Sequence, residues 1–180
     1  MMGAAVGVDR RHPGRNEAFQ VVSRGPRRRI GILVFDYVKM LDFSGPAEVF
    51  VEANQTAGNY EVVLISPDGK PVETSIGARV EVAVTPGSVG ELDTLVVPGS
   101  EAAPPSFITP AVLEAARTLV PKARRVTSIC SGAFVLAALG LLDGRRATTH
   151  WRYADLLRES HASVTVDAGR GTSRDPGGVA

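Results

Sequence analysis

The chain has 180 residues, 44% of them hydrophobic and 22% charged, which suits one globular domain and excludes a low-complexity or collagen-like chain. Its longest apolar stretches, such as residues 133–142, are far too short to span a bilayer, and residues 1–29 lack the apolar run of a secretory signal. The net charge of +1 is unevenly placed: residues 1–29 hold seven arginines against Asp9 and Glu17, leaving 13 basic and 17 acidic residues from position 30 onward, so the body is not a nucleic-acid binder by charge.

The basic segment 1–29 reads as a disordered leader. From there strand and helix alternate. Residues 30–35 (Ile-Gly-Ile-Leu-Val-Phe) form a continuous apolar run, as expected of a parallel strand buried on both faces. Residues 44–53 read as a helix, with Ser44 as its cap, Pro46 in its first turn and Glu48 near the positive end of its dipole. Residues 60–66 form a second strand, and two weaker strand patterns flank Gly77, predicting a hairpin. Residues 93–97 form another buried strand that ends at Pro98-Gly99-Ser100, and helical spacing follows from Pro110 to Val120. Residues 125–129 give a strand running into the small-residue helix start Ser131-Gly132-Ala133. Residues 145–149 and 163–167 read as shorter strands around a helix that opens at His150. This alternation predicts an α/β fold with a mostly parallel sheet and right-handed crossovers, ligands binding at the strands' carboxyl ends. After Asp167 the apolar content collapses, and residues 168–180 are expected to be disordered.

Cys130 is the one cysteine of the chain, so no intrachain disulfide forms and a reducing, cytoplasmic setting is the economical expectation. Its place between a strand and a helix start predicts a nucleophile elbow, with Gly132 leaving room beneath and the helix's N-terminal N–H groups favouring the thiolate. The competing reading is a buried cysteine packed as a small hydrophobe. Chemistry at such a thiol needs a proton-handling group and hydrogen-bond donors. Asp42, just before the Gly45-Pro46 step, is the carboxylate candidate for proton transfer, and its alternative is a capping or turn aspartate. His150 follows a strand end and is the candidate base, unless it caps and packs the next helix. The backbone N–H groups of Gly99 and Ser131, with Gly132, are the candidate oxyanion or ligand-binding positions. Three scattered histidines and one cysteine lack metal-ligand spacing, and neither a Walker pattern nor a dinucleotide fingerprint occurs, so no metal and no cofactor are expected.

Four segments together carry a resemblance: residues 30–36, residues 41–50 (Leu-Asp-Phe-Ser-Gly-Pro-Ala-Glu-Val-Phe), residues 95–99 (Leu-Val-Val-Pro-Gly) and residues 128–134 (Ser-Ile-Cys-Ser-Gly-Ala-Phe). With residues 140–151, through Thr148-Thr149-His150-Trp151, they resemble the PfpI-like family of the class I glutamine amidotransferase-like superfamily. The resemblance covers residues 30–167 and implies a flavodoxin-like three-layer sandwich with Cys130 at the elbow. Two branches share these motifs. One is the N-terminal ligand-sensing half of AraC-type transcriptional regulators, which the segment 145–155 favours. The other is the isocyanide hydratases, where Cys130 would attack the isocyanide carbon, Asp42 would assist proton transfer and water would release an N-substituted formamide. A regulator would continue into helix-turn-helix modules, and the family domain into a further strand pair and closing helix. The chain is therefore expected to be a C-terminally truncated domain that does not bind DNA by itself. Its expected partners are a small molecule of unknown identity and a second copy in a homodimer, with no membrane.

Overall fold

A computed structural model describes residues 25–56 and 58–167 of the chain. The leader up to residue 24 and the tail from residue 168, both expected to be disordered, lie outside the described residues.

Four parallel strands form the central sheet: β1 (Arg28–Leu33), β2 (Tyr60–Ile65), β5 (Leu92–Val97) and β6 (Ala123–Ser128), in the order β2-β1-β5-β6. Between β2 and β5 lies the expected hairpin, β3 (Val72–Glu73) with antiparallel β4 (Arg79–Val80), and Gly77 at φ 75° turns it through a conformation that costs a residue with a Cβ. β1 begins at Arg28, two residues before the apolar run and inside the predicted leader. The extension holds because Arg28 and Arg29 pair with Tyr60 and Glu61, the Arg28 N–H donating to Asn59 O at 2.8 Å and Arg29 Nε to Glu61 Oε2 at 3.1 Å.

Alternation along β1 divides the core into two layers. Ile30, Ile32 and Val34 face α1 (Met40–Ala53) together with Val96, Val38 and Phe43. Leu33 and Phe35, with Leu95 and Val97 of β5, face α2 (Pro110–Leu119) and α3 (Ala133–Ala138). α2 buries Val112, Ala115, Ala116 and Leu119, starts with Pro110, and is capped by Thr109, whose Oγ1 accepts the Val112 N–H. Helices on both faces of a parallel sheet make the predicted flavodoxin-like sandwich.

α1 departs from the sequence reading. It starts at Met40 rather than Ser44, and Ser44 lies inside it, its Oγ donating to the Met40 carbonyl at 2.7 Å. Pro46 is therefore interior, where its missing N–H leaves the Asp42 carbonyl without the usual helical donor. The C-terminal strands also differ. β7 (Arg146–Ala147) and β8 (Thr165–Val166) pair in parallel with each other, in a sheet separate from the central one. They flank α4 (Ala154–Ser160), which follows a 3-10 turn at Trp151–Tyr153 rather than opening at His150. Their short alternating sequences do not supply the continuous apolar run of a strand covered on both faces.

Candidate functional site

Chain direction places the site. β2 lies on one side of β1 and β5 on the other, so the connections leave in opposite directions at β1 and β5 and open a crevice at their carboxyl ends. The segments after β1, β5 and β6 reach that crevice, bringing Asp42, Gly99 and Cys130 together.

Cys130 has φ 57°, a left-handed conformation that is costly for any residue with a Cβ, and it opens the 3-10 turn Cys130–Gly132 directly after Ile129. Two bonds brace the turn: the Ile129 N–H donates to Val97 O at 3.0 Å and the Gly132 N–H to Ile129 O at 3.0 Å. Thr149 Oγ1 adds a third at the Cys130 carbonyl, 3.0 Å away. Gly132 is required by space, since a Cβ there would lie 2.1 Å from Val97 O and 2.8 Å from Pro98 O. The strained elbow read from the Ser128–Ala133 sequence is thus present in the backbone.

Asp42 lies in the first turn of α1, facing the thiol. Its Oδ2 accepts the Gly99 N–H at 3.1 Å, and its carboxylate lies close enough to the Cys130 thiol for each to act on the other's titration. Burial pushes the Asp42 carboxyl above its ordinary range, while the Gly99 N–H, the thiol, Lys39 and His150 pull it back. Burial likewise pushes the Cys130 thiol up; the Asp42 charge adds to that, and the backbone N–H and hydroxyl of Ser131 oppose it. Burial first and the Asp42 charge second thus work against the thiolate that the helix start was expected to favour, and α3, with six residues, is a short helix.

The candidate donors are largely engaged. Gly99 gives its N–H to Asp42 and Gly132 gives its own to Ile129. Ser131 is fully buried, its N–H faces the sulfur, and its Oγ accepts the Ser100 N–H at 3.2 Å. A Cβ on Gly99 would meet Ser131 Oγ at 2.7 Å and Asp42 Oδ2 at 3.0 Å, so this glycine lets the two loops close on each other. His150 makes the contacts of a cap: Nδ1 accepts the Arg152 N–H at 3.3 Å at the start of the 3-10 turn, and the ring leans on Trp151 and Tyr153. It makes no hydrogen bond to Cys130 among the described residues, although it lies close enough to lower the Asp42 carboxyl electrostatically.

The sequence reading passed over the rim. Lys39 and Glu101 form an ion pair across the mouth, and Lys39 is near enough to feel both Asp42 and Cys130. The two loops are stitched by Lys39 N–H to Gly99 O at 3.0 Å and Glu101 N–H to Tyr37 O at 2.9 Å. A Lys and a Glu separated by 62 residues carry no local signal of such pairing. Beside the site an open cleft of about 1070 Å³ runs between Phe35, Tyr37, Val72, Phe107 and Val112. Neither Cys130 nor Asp42 lines it, so the large volume and the reactive groups are neighbours rather than one chamber. Among the described residues no group of His, Cys, Asp and Glu is arranged to hold a metal ion, and no helix is long and apolar enough to cross a membrane.

A parallel three-layer sandwich with a cysteine on a left-handed strand-to-helix elbow and a carboxylate beside it defines a flavodoxin-like elbow protein. The chain belongs to the DJ-1/PfpI family, whose model matches residues 28–179. A Streptomyces lividans protein described by its place in the cpoL 5′ region is 48% identical over 136 residues, which are 76% of this chain and 96% of that one. The isonitrile hydratase of Pseudomonas putida is 39% identical over 129 residues, 72% of this chain and 55% of the hydratase. The HTH-type transcriptional regulator GlxA of Rhizobium meliloti is 33% identical over 162 residues, 85% of this chain and 49% of the regulator. The chain thus spans about half the length of the hydratase and of the regulator. A ThiJ/PfpI family protein from Pseudomonas syringae shares the fold, with a TM-score of 0.72 at 22% identity over 96% of this chain and 70% of that one.

Proposed function

We propose that the chain is a ligand-sensing domain of the kind found in AraC-type regulators, taking a small molecule at the Asp42–Cys130 crevice without turning it over. One observation carries the reading: Cys130 sits half-buried beside the Asp42 carboxyl, a setting in which burial and the Asp42 charge push the thiol up, away from an activated nucleophile. The engaged N–H groups of Gly99 and Gly132 support it further, since developing charge on a reacting atom would find Ser131 N–H as the remaining donor of the three. In this reading Cys130 and Asp42 are ligand-contacting residues, Gly99, Ser131 and Gly132 shape the pocket floor, and His150 caps the segment beside it. The described residues contain no helix-turn-helix, so DNA recognition belongs to another part of such a regulator. The reading also includes a cytoplasmic homodimer, supported by Leu41 and Val49, which lie eight residues apart on one face of α1 and are 77% and 66% exposed.

The second reading is an isocyanide hydratase, supported by the same juxtaposition of Asp42 and Cys130. Here the Cys130 sulfur bonds to the isocyanide carbon while Asp42 takes the thiol proton and returns it to the adduct. Water then displaces the sulfur, releasing an N-substituted formamide and restoring the thiol. The deciding experiment follows tert-butyl isocyanide by NMR in the presence of the folded chain. The sensor reading expects no formamide above the Cys130→Ala background. Formamide that disappears in Cys130→Ala and falls sharply in Asp42→Asn would replace it with the hydratase reading.

A further inference from the structure

We infer that Ser75 is a positioning residue for the Asp42–Cys130 pair: its hydroxyl, presented by the β3–β4 hairpin, caps α1 from outside and so sets where the Asp42 carboxylate stands.

The first N–H groups of a helix have no partner within it. α1 has Lys39 at its N-cap, and Lys39 contributes no side-chain capping bond. Instead the Met40 N–H donates to Ser75 Oγ at 3.1 Å, across 35 residues of sequence. The clasp is reciprocal, because the Ser75 N–H donates to Val38 O at 2.9 Å. The hairpin is itself anchored to the same loop, with the Tyr37 N–H donating to Glu73 O at 2.6 Å and the Glu73 N–H to Asp36 Oδ1 at 2.9 Å. Asp42 sits two residues beyond Met40, and its own N–H closes the turn on Lys39 O at 3.1 Å. Phe43, the one buried residue of α1, and partly buried Met40 tie this turn to the core by packing, while Ser75 supplies the side chain that meets the Met40 N–H. A loss of the Ser75 hydroxyl therefore loosens the turn that carries the carboxylate rather than the core.

Displacement of Asp42 is readable at the sulfur. The charged groups around the pair are Asp42 and Lys39 at Cys130, with His150 acting on Asp42 and the Glu101 partner of Lys39 under the influence of Arg152. Of these, Asp42 is the group that raises the thiol, so a carboxylate that moves away lets the thiol titrate earlier. The inference concerns the site of the proposed function but not its ligand. It is read from thiol titration, so it and the sensing reading fail separately.

The experiment is the pH dependence of iodoacetamide alkylation of the full chain, which has one cysteine and hence one signal, run with a thermal melt. Asp42→Asn is expected to lower the alkylation midpoint by about one pH unit. Ser75→Ala lowers it by part of that amount, Ser75→Thr returns it to the parent value, and Ser75→Ala adds nothing in an Asp42→Asn background. Thr74→Val, which removes from the same hairpin a buried hydroxyl with no hydrogen-bond partner among the described residues, leaves the midpoint in place. An unmoved midpoint in a folded Ser75→Ala protein overturns the inference, as does an equal shift when Asp42 is already Asn. An unmoved midpoint in Asp42→Asn removes the pair and the inference with it. Where Ser75→Ala does not melt cooperatively, Ser75→Asn, which keeps an acceptor one bond farther out, takes its place: a lowered midpoint supports the inference and an unchanged one overturns it.

Discussion

The Gly99 N–H donates to Asp42 Oδ2 at 3.1 Å, tying the end of β5 to the first turn of the helix that follows β1. This bond engages the Gly99 backbone donor with a protein carboxylate. It also holds a negative charge next to the sulfur, so the first proton to leave the pair comes from the carboxyl and the thiol keeps its own.

A raised carboxyl has a defined effect on stability. Burial raises Asp42 in the folded state, so folding is opposed wherever the unfolded chain would already be ionised. The contribution of Asp42 to stability is full below the ordinary carboxyl value near ~3.9 and is lost as pH rises through the folded value. Asp42→Asn keeps an oxygen for the Gly99 N–H and removes the charge. Its melting temperature is expected to match the parent at low pH and exceed it at neutral pH, in scans at a series of pH values; a variant less stable at pH 7 than at pH 3, relative to parent, contradicts this.

The thiol behaves alike at the other end of the scale. With Cys130 raised by burial and by Asp42, its stabilising contribution is present below the ordinary thiol value near ~8.5 and is lost as pH rises through the folded value. Cys130→Ala is expected to flatten the alkaline fall of the denaturation midpoint in urea. Parallel alkaline limbs for the two proteins would show that the thiol contributes nothing there.

Two glycines separate space from conformation. A Cβ at position 132 would sit 2.1 Å from Val97 O, so Gly132→Ala must move backbone, and a loss of about 3 kcal/mol is expected, with loss of the elbow. At Gly45, inside α1, the nearest atom to a Cβ outside the chain neighbours is Leu41 Cδ1 at 3.8 Å, but Pro46 follows and disfavours the helical conformation for a preceding residue with a Cβ, so Gly45→Ala is expected to lose the usual helical gain of about 0.5–1 kcal/mol. Urea titrations of both variants check the pair.

Capping distinguishes two hydroxyls that look alike in sequence. Thr109 caps α2 through the Val112 N–H at 3.2 Å, and Thr109→Ala is expected to cost about 1 kcal/mol. Ser44 bonds back to Met40 O within α1, and Ser44→Ala is expected to be neutral or stabilising by about 0.5 kcal/mol. A clear loss in Ser44→Ala would mean that this hydroxyl holds the helix start after all.

What the chain revealed before folding was local. The apolar run 30–35, the turn at Gly77, the helical spacing from Pro110 and the Ile129-Cys130-Ser131-Gly132 elbow all depend on neighbours in sequence, and the sheet follows from their order. The misread features are those decided at a distance. α1 starts four residues early because its cap comes from Ser75, and β1 starts early because Arg29 meets Glu61. The thiol is raised by burial and then by Asp42, which lies 88 residues away in sequence and is folded close to it. His150 was legible as two alternatives, a base or a cap, and its Nδ1 accepts the Arg152 N–H at 3.3 Å as the capping one expects.

Tyr37 is the other non-glycine residue with a positive φ among the described residues, at 63°. Its N–H is held by Glu73 O, and its carbonyl accepts from both Glu101 N–H and Ser100 Oγ at 2.9 Å. One residue thereby joins the hairpin, the loop after β1 and the loop after β5. None of the three segments can open without breaking a bond to this residue. The amide hydrogens of Tyr37, Ser75 and Glu101 should therefore exchange with solvent deuterium at a common opening free energy, as one cooperative unit above the crevice rather than as three independent loops.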